Sequence, residues 1–275
     1  MTVEVNEHRE PTRHIHHLDV SLTDNSTSNQ AAFLGDPNFP NVATNSTNGG
    51  RIRLYESLYK QYSRLQFSRN HDRSIAIAGL EQRLIRAFDT QGGYGIFERY
   101  FGRSLLWQRD SDVARMKKID FPPKQQFRIP TWSWMAYDGG ITFMDLPFDG
   151  VQWEEEEVRS PWSASHAPGS SWHTGSSNGR IDLTGMVRDF DVVLSEKQIV
   201  YDEGFRPQGR TMKCVVIGRE KSEIAIDVTR QRHYVLIVAQ KLDAENEKIY
   251  ERVGVGSIPG SWIALDRPAL KVQIF

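Results

Sequence analysis

Residues 180–187 read "RIDLTGMV", and this stretch sets the fold class of the second half of the chain. Ile181, Leu183, Gly185 and Val187 occupy every second position, the spacing that places side chains on one face of a β-strand. Similar stretches follow, separated by Gly, Asp, Asn and Pro: "TMKCVVIG" (211–218), "EIAIDV" (223–228), "HYVLIVAQ" (233–240) and "ALKVQIF" (269–275). No helical period separates them, so we predict antiparallel pairing in a barrel or a curled sheet.

Residues 51–120 carry a helical pattern instead. Leucines and tyrosines recur every three or four residues in "RIRLYESLYKQYSRLQF" (51–67), which places them on one face of an amphipathic helix. A second helical pattern follows "NHDRS" (70–74) and is predicted to end at Gly92–Gly93, and a third covers "YGIFERYFGRSLLWQR" (94–109). The chain is therefore predicted to be α+β, with a small helical subdomain over 51–120 followed by an antiparallel β-barrel-like subdomain over 121–275 packed on the helices.

The first 50 residues have a different composition. From Ser21 to Gly50 they are dominated by Ser, Thr, Asn, Gly and Pro, and they offer too little apolar surface to offset the entropy of ordering. We predict a mobile polar arm over 1–50. The run "HIHH" (14–17) has no carboxylate or cysteine frame around it, so no metal site is predicted there.

Charge and cysteine content narrow the class of function. Lys plus Arg is 34 and Asp plus Glu is 35, and the net charge of -1 gives no field that would favour nucleic acid or an anionic membrane. The single cysteine, Cys214, excludes an intrachain disulfide and lies in an apolar strand-like run, where we interpret it as a packing residue. No apolar run has the length of a membrane span or a signal peptide, so we predict a cytoplasmic protein that binds neither membranes nor nucleic acid and whose oligomeric state is open.

Residues 128–140 read "RIPTWSWMAYDGG". On a strand, Trp132 and Trp134 would share one face while Ser133 pointed to the other, because side chains alternate across the pleat. We predict a short strand bounded by Pro130 and by the Asp138–Gly139 turn, with at least one indole reaching a ligand pocket. Two tryptophans that only fill the core are the alternative, and the residues alone do not choose between the two.

Several separated motifs occur in a definite order: Tyr62–Ser63, then Asp72 with Ala76 and Gly79–Leu80, then Leu105–Trp107, Pro130–Trp134 and Tyr250–Gly254. In order and spacing, from about Leu58 to Gly256, they resemble the region that follows the heterokaryon-incompatibility domain in proteins of filamentous fungi. The signalling domain that precedes this region in the family is not expected here, because only some fifty residues stand before the first motif. Met135–Ala136 and Tyr137 depart from the small residues of the family pattern, which suggests a changed pocket.

The resemblance implies a function in fungal secondary metabolism, where truncated relatives act as cofactor-free cyclases and Diels–Alderases, including norbornene-forming enzymes of diterpenoid biosynthesis. We therefore expect a cofactor-free cyclase or pericyclase that acts on an apolar terpenoid or polyketide intermediate. The alternative is a non-enzymatic recognition or incompatibility module. The sequence has no nucleophile elbow, Walker loop or dinucleotide fingerprint, so phosphate cofactors are disfavoured and no cofactor is expected.

The candidate site residues follow from the Trp-Ser-Trp segment and the last motif. Tyr137 is the first candidate catalytic donor, since its hydroxyl can face a developing oxyanion, and Trp134 is the second. The candidate substrate-binding residues are Trp132, Ser133, Met135, Asp138, Phe143 and Arg252. We interpret Arg252 mainly as an anchor whose guanidinium holds Asp138 or a loop carbonyl, and only secondarily as a substrate-binding group.

Overall fold

The computed structural model describes residues 39–122, 129–162, 182–222, 227–241 and 248–275. The helices are α1 (Phe39–Asn45), α2 (Asn48–Ser63), α3 (Arg73–Phe88), α4 (Phe101–Leu105) and α5 (Val192–Ser195). The strands are β1 (Gly92–Gly93), β2 (Ile96–Phe97), β3 (Trp107–Arg109), β4 (Lys117–Lys118), β5 (Tyr137–Asp138), β6 (Ile141–Phe143), β7 (Val151–Trp153), β8 (Val158–Arg159), β9 (Leu183–Arg188), β10 (Ile199–Tyr201), β11 (Met212–Glu220), β12 (Arg232–Gln240), β13 (Ile249–Pro259) and β14 (Leu270–Ile274). Short 3-10 helices cover Asn70–Asp72, Glu98–Tyr100, Trp134–Ala136, Glu196–Gln198, Val228–Arg230 and Gly260–Trp262.

The helical part begins earlier than the sequence pattern predicts. Helix α1 lies within the stretch assigned to the polar arm, and α2 starts at Asn48 rather than after residue 50. The reason is local: Thr47 caps α2, its Oγ1 accepting a hydrogen bond from the backbone N–H of Gly50 at 3.1 Å. The remainder of the predicted arm, residues 1–38, lies outside the described residues and includes the "HIHH" run.

Helices α2 and α3 pack together through the stripe that the periodicity predicts. Tyr55, Tyr59 and Tyr62 of α2 are buried, and they meet a buried row on α3 that ends at Phe88. The end of α3 differs from the prediction: the helix stops at Phe88, where Asp89 takes a left-handed conformation with φ 50°, and not at Gly92–Gly93.

The third predicted helix is mostly absent from its stretch, 94–109. Only α4 is α-helical there, while β1 and β2 form a hairpin and β3 pairs with β6. Tyr94 and Gly95 form the two-residue turn of the hairpin, and both have positive φ, 56° and 79°. A turn of this kind matches the right-handed twist of the strands, which explains why the chain reverses here instead of continuing as a helix.

Most strands belong to one eight-stranded sheet with the order β7-β11-β12-β13-β14-β9-β8, in which β10 pairs with β13. Four predicted strands are confirmed as β9, β11, β12 and β14, and most of the stretch 223–228 falls outside the described residues. The α+β class is also confirmed. The sheet is mixed rather than antiparallel, because β13 and β14 run parallel through Ile249–Gln273 and Tyr250–Ile274. Strand β9 pairs with β14 and again with β11, so the sheet curls back on itself.

The two central strands, β11 and β12, are buried on both faces. On β11, Met212, Cys214 and Val216 join one apolar cluster, while Val215 and Ile217 join the cluster that also contains the helices. Cys214 is fully buried, and burial raises the pKa of its thiol to about 12, which agrees with a packing role. Among the described residues, no helix is both long enough and apolar enough to cross a membrane.

Candidate functional site

The Trp-Ser-Trp segment is not a strand, which corrects the prediction for this segment. Residues 131–133 form a turn, Trp134–Ala136 a 3-10 helix, and only Tyr137–Asp138 is extended. The Ser133 hydroxyl produces this shape, because Oγ accepts the backbone N–H of Met135 at 3.1 Å and donates to the Tyr94 carbonyl at 2.7 Å. The two indoles therefore do not share a strand face, and the segment is tied to the β1–β2 hairpin.

Both indoles are fully buried, each among its own rings, and the Tyr94–Gly95 turn contacts both of them. We call the two sets of rings together the aromatic cluster: Tyr59, Tyr62, Tyr94, Trp132, Trp134 and Trp162. The ring of Trp132 meets Tyr94 at 5.9 Å and Trp162 at 6.3 Å, both edge-on. The ring of Trp134 meets Tyr59 at 5.2 Å and Tyr62 at 6.1 Å. Each tryptophan thus has its own set of partners, and edge-to-face contacts of this kind stabilise the cluster beyond area burial.

Three polar groups of the cluster have no acceptor in the described part of the chain. Nε1 of Trp132, Nε1 of Trp134 and the hydroxyl of Tyr59 are buried and have no hydrogen-bond partner among the described residues. The indole of Trp107 behaves differently, since its Nε1 donates to the Trp132 carbonyl at 2.8 Å. An unpaired buried donor costs about 1–3 kcal/mol, so three such donors in one cluster need an explanation.

A buried carboxyl group lies beneath the hairpin turn that contacts these donors. Glu81 of α3 accepts the backbone N–H of Gly95 at 2.5 Å, and the N–H of Tyr94 also bonds to it. Gly95 is required on two grounds, its positive φ and its contact with Trp134, because a Cβ added there would overlap the indole Nε1. The turn therefore holds Glu81 on one side and the Trp134 indole on the other.

The pKa of Glu81 is set mainly by the burial of its carboxyl group. Burial raises the pKa of this carboxyl to about 7, and the two backbone N–H groups oppose that rise. None of the described Lys, Arg or His residues forms an ion pair with it. Burial also raises the pKa of the Tyr94 hydroxyl to about 12 and raises that of the Tyr59 hydroxyl well above its usual range, and Glu81 adds to both shifts. The site thus combines a carboxyl group whose pKa lies near neutral pH with tyrosines that stay uncharged.

Arg252 is held away from this cluster in a buried ion pair. Its Nε and Nη2 donate to the two carboxylate oxygens of Asp202 at 3.0 and 3.1 Å, and the guanidinium lies 3.2 Å from the centroid of the Trp107 ring. The same guanidinium donates to the carbonyls of Leu105 and Trp107 at 2.8 and 2.5 Å. Burial lowers the pKa of Arg252 and raises that of Asp202, and their mutual attraction opposes both shifts.

Arg252 is thus an anchor, as predicted, but the carbonyls it binds belong to α4 and β3 rather than to a loop, and its acidic partner is Asp202 rather than Asp138. Asp138 instead accepts from Arg73 at 3.2 Å and from Asn70 at 2.8 Å, which ties β5 to the start of α3. Four of the five N–H groups of Arg252 already bond inside the protein, and the side chain is buried, which favours an internal role over substrate binding.

Tyr137 belongs to the same internal network. Its hydroxyl donates to the Arg252 carbonyl at 3.3 Å, and its ring packs against Trp107 at 5.7 Å. Burial raises the pKa of this phenol well above its usual range. The remaining predicted residues lie in the core: Met135 is buried, and Phe143 is partly buried with its ring edge-on to Tyr55 at 5.7 Å. The structure thus brings Trp132, Ser133 and Trp134 together and places Tyr137 and Arg252 elsewhere.

No known protein family, characterised protein or solved structure matches this chain.

The residues that the sequence analysis missed are Glu81, Tyr59 and Tyr94. A signal for Glu81 is present in α3, where Ile77, Leu80 and Leu84 form the buried stripe and position 81 falls on the same helical face. A charged residue on an apolar face is exceptional, because buried carboxylates are rare. The sequence does not indicate that Tyr94 lies in a tight turn, because tyrosine rarely adopts a positive φ.

Two grooves lined by described residues lie on the surface away from the aromatic cluster. The larger has a volume of about 710 Å³ and is lined by Val193, Glu196, Ile199, Tyr201, Gly204, Phe205, Arg206 and Gln208. Val193 and Phe205 are exposed by 78% and 52%, so this groove presents apolar surface to solvent. The smaller, of about 450 Å³, is mainly polar and includes Arg219 and Lys221. Among the described residues, no group of three His, Cys, Asp or Glu side chains is placed to hold a metal ion.

Proposed function

We propose that the chain is a cofactor-free cyclase of the Diels–Alderase type that acts on an apolar terpenoid or polyketide intermediate, with the aromatic cluster as its site. The observation that carries the proposal is the set of unpaired donors on Trp132, Trp134 and Tyr59 within a wall of rings. The resemblance of the separated motifs to fungal heterokaryon-incompatibility proteins agrees with such a role and suggests norbornene formation as one form of the reaction.

The chemistry needs two things from the protein. A cycloaddition forms two σ bonds at the expense of π bonds within one substrate, so no atom enters or leaves and no proton has to be transferred. Aromatic faces hold the chain in a folded, reactive geometry, which supplies orientation. An N–H or O–H donor aimed at a carbonyl on the dienophile stabilises the electron density that develops there.

The unpaired donors are suited to the second task. An indole N–H only donates, so it can bind a carbonyl oxygen without competing as an acceptor. The proposal therefore assigns the donor role to Trp134 and Trp132, with Tyr59 beside them, and not to Tyr137, whose hydroxyl already bonds to a carbonyl. Trp162 covers Trp132 and is 7% exposed, so we propose that the substrate reaches the donors by displacing this ring.

The decisive experiment is incubation of the purified protein with fractionated organic extracts and with synthetic polyenes that carry an activated alkene. A product of unchanged mass and altered retention is expected in chromatography with mass spectrometry. Trp134→Phe keeps a ring and removes the N–H, so it is expected to slow formation of the product at least tenfold. Trp262→Phe, at a partly buried indole outside the cluster, is the matched control and is expected to leave the rate unchanged. Equal rates for all three proteins would exclude the aromatic cluster as the site.

The second candidate function is recognition of a protein partner without catalysis. The observation in its favour is the exposed apolar surface at Val193, Leu194 and Phe205 beside the larger groove. This candidate predicts that no extract yields an isomeric product. It also predicts that Phe205→Asp abolishes binding to the partner, while substitutions in the aromatic cluster leave binding intact wherever the protein stays folded.

A further inference from the structure

Glu81 stands in an unusual relation to the proposed donors. Its carboxyl group bonds to the backbone of Tyr94 and Gly95, and the same two residues of the hairpin turn contact Trp132 and Trp134. On the far side of that turn, the Tyr94 carbonyl accepts from Ser133, the Tyr94 ring packs on Trp132, and Gly95 lies against Nε1 of Trp134. The position of both indoles is therefore set by the turn that Glu81 holds.

We infer that Glu81 is a positioning residue for the aromatic cluster, and that its carboxylate form holds the hairpin turn in the arrangement that aims the Trp134 N–H. The inference rests on the proposed function for its effect on turnover, while its structural part stands independently. Both N–H groups of the turn point at the carboxyl, which forms a small anion-binding nest occupied by a side chain.

The two protonation states of Glu81 differ in how they hold this turn. A carboxylate has two acceptor oxygens and bonds to both N–H groups, whereas the neutral acid keeps one good acceptor and gains a donor. Tyr59, whose hydroxyl has no partner among the described residues, is the polar group that α2 presents near Glu81. Loss of the proton therefore tightens the turn, and gain of the proton releases one of its N–H groups.

The groups around Glu81 do not themselves change charge near pH 7. Tyr59 from α2 and Tyr94 from the hairpin are the titratable groups whose pKa responds to Glu81, and both are neutral through the physiological range. None of the described cationic residues pairs with the carboxyl, so no salt bridge fixes its charge. One ionisation, at about pH 7, is expected to govern the turn.

The chain offers a matched control in Glu56 of α2. This carboxyl is also largely buried, and burial raises its pKa to about 7 against the attraction of Arg103. Glu56 has no hydrogen bond to the hairpin turn in the described structure. Neutralising Glu56 therefore changes a similar buried charge without touching the proposed link.

The test follows the indole N–H signals of protein labelled with ¹⁵N-tryptophan by NMR between pH 5.5 and 8.5, with the Trp134 signal assigned through Trp134→Phe. The Trp134 signal is expected to shift with a single midpoint at about pH 7 in the wild type and in Glu56→Gln, and to stay constant in Glu81→Gln. Turnover, once a substrate is found, is expected to rise roughly tenfold from pH 6 to pH 8, because the ionised fraction of a group with a pKa of about 7 rises by that factor.

A Trp134 signal that does not move with pH in the wild type would overturn the inference without any variant. A shift that survives in Glu81→Gln, or one that is lost equally in Glu56→Gln, would also overturn it. The NMR readout requires no substrate, so it separates this inference from the proposed function: a titrating indole in a protein that forms no product contradicts the cyclase and leaves the coupling between Glu81 and Trp134 intact.

Discussion

Replacement of two buried tryptophans by phenylalanine gives the sharpest test of the unpaired donors. Trp107 and Trp134 are both fully buried, so Trp→Phe removes a similar amount of apolar contact from each site. The two differ in the indole N–H: that of Trp107 bonds to the Trp132 carbonyl at 2.8 Å, while that of Trp134 bonds to no described residue. The difference in stability between the two variants therefore reports whether the indole N–H is hydrogen-bonded.

The magnitude follows from the two environments. Trp107→Phe leaves the buried Trp132 carbonyl without its hydrogen-bond donor, which costs about 1–3 kcal/mol of stability, and it weakens the contact with the Arg252 guanidinium. Trp134→Phe removes an unpaired donor and so recovers a similar amount. We expect Trp107→Phe to be less stable than Trp134→Phe by about 3 kcal/mol, which corresponds to roughly 6–12 °C in melting temperature.

The assay is urea-induced unfolding followed by circular dichroism, with the denaturant slope compared so that only stability is read from the midpoint. Thermal scans serve as a second measurement. Equal losses for the two variants would refute the reasoning, because they would mean that the Trp134 N–H is as well satisfied as that of Trp107. The proposed donor role of Trp134 would then lose its physical basis.

Three further predictions concern other parts of the described structure. The pKa of Glu81 in the folded state, about 7, lies above the ordinary 4.5, so the folded state binds the proton more tightly than the unfolded state. Unfolding titrations should therefore show the free energy of unfolding falling by about 3 kcal/mol from pH 4.5 to 7, and falling less in Glu81→Gln. Arg252→Lys should cost about 3–5 kcal/mol in urea unfolding because it leaves Asp202 without its fork, and a loss below about 1 kcal/mol would contradict the buried pair. Gly95→Ala should be far less stable than Gly209→Ala in thermal scans, because both have positive φ but only Gly95 lies against an indole; equal melting temperatures would disprove the close contact.

The sequence predicts the strands better than it predicts the site. β9, β11, β12 and β14 are readable because one or both faces are apolar, and a period of two has few alternatives. The Trp-Ser-Trp segment is not readable in this way. Large residues at alternate positions suit a strand, but a serine between them can also cap a 3-10 turn, and its bond to the Tyr94 carbonyl decides the matter.

The partner of Arg252 shows a second limit. Alternation places Arg252 on an inward face, which correctly predicts an anchor, yet the acid it binds stands fifty positions earlier in the chain. The motif that contains Asp138 suggests that residue as the partner, whereas the actual partner, Asp202, follows β10 and is brought to Arg252 by the pairing of β10 with β13. Partner choice of this kind depends on strand order, which local patterns do not contain.

The network around Arg252 has a consequence for how the chain folds. One guanidinium joins Asp202 after β10, the carbonyl of Leu105 at the end of α4 and the carbonyl of Trp107 in β3, so its bonds link the helical half of the chain to the sheet. Until all these segments have docked, the Arg252 guanidinium loses contact with water before it has gained all of its hydrogen-bond partners, which is unfavourable. We therefore expect the two halves to assemble in one cooperative step that is slow, because its contacts are distant in sequence, and the amides of α4 and β13 to exchange with solvent only when the whole molecule opens.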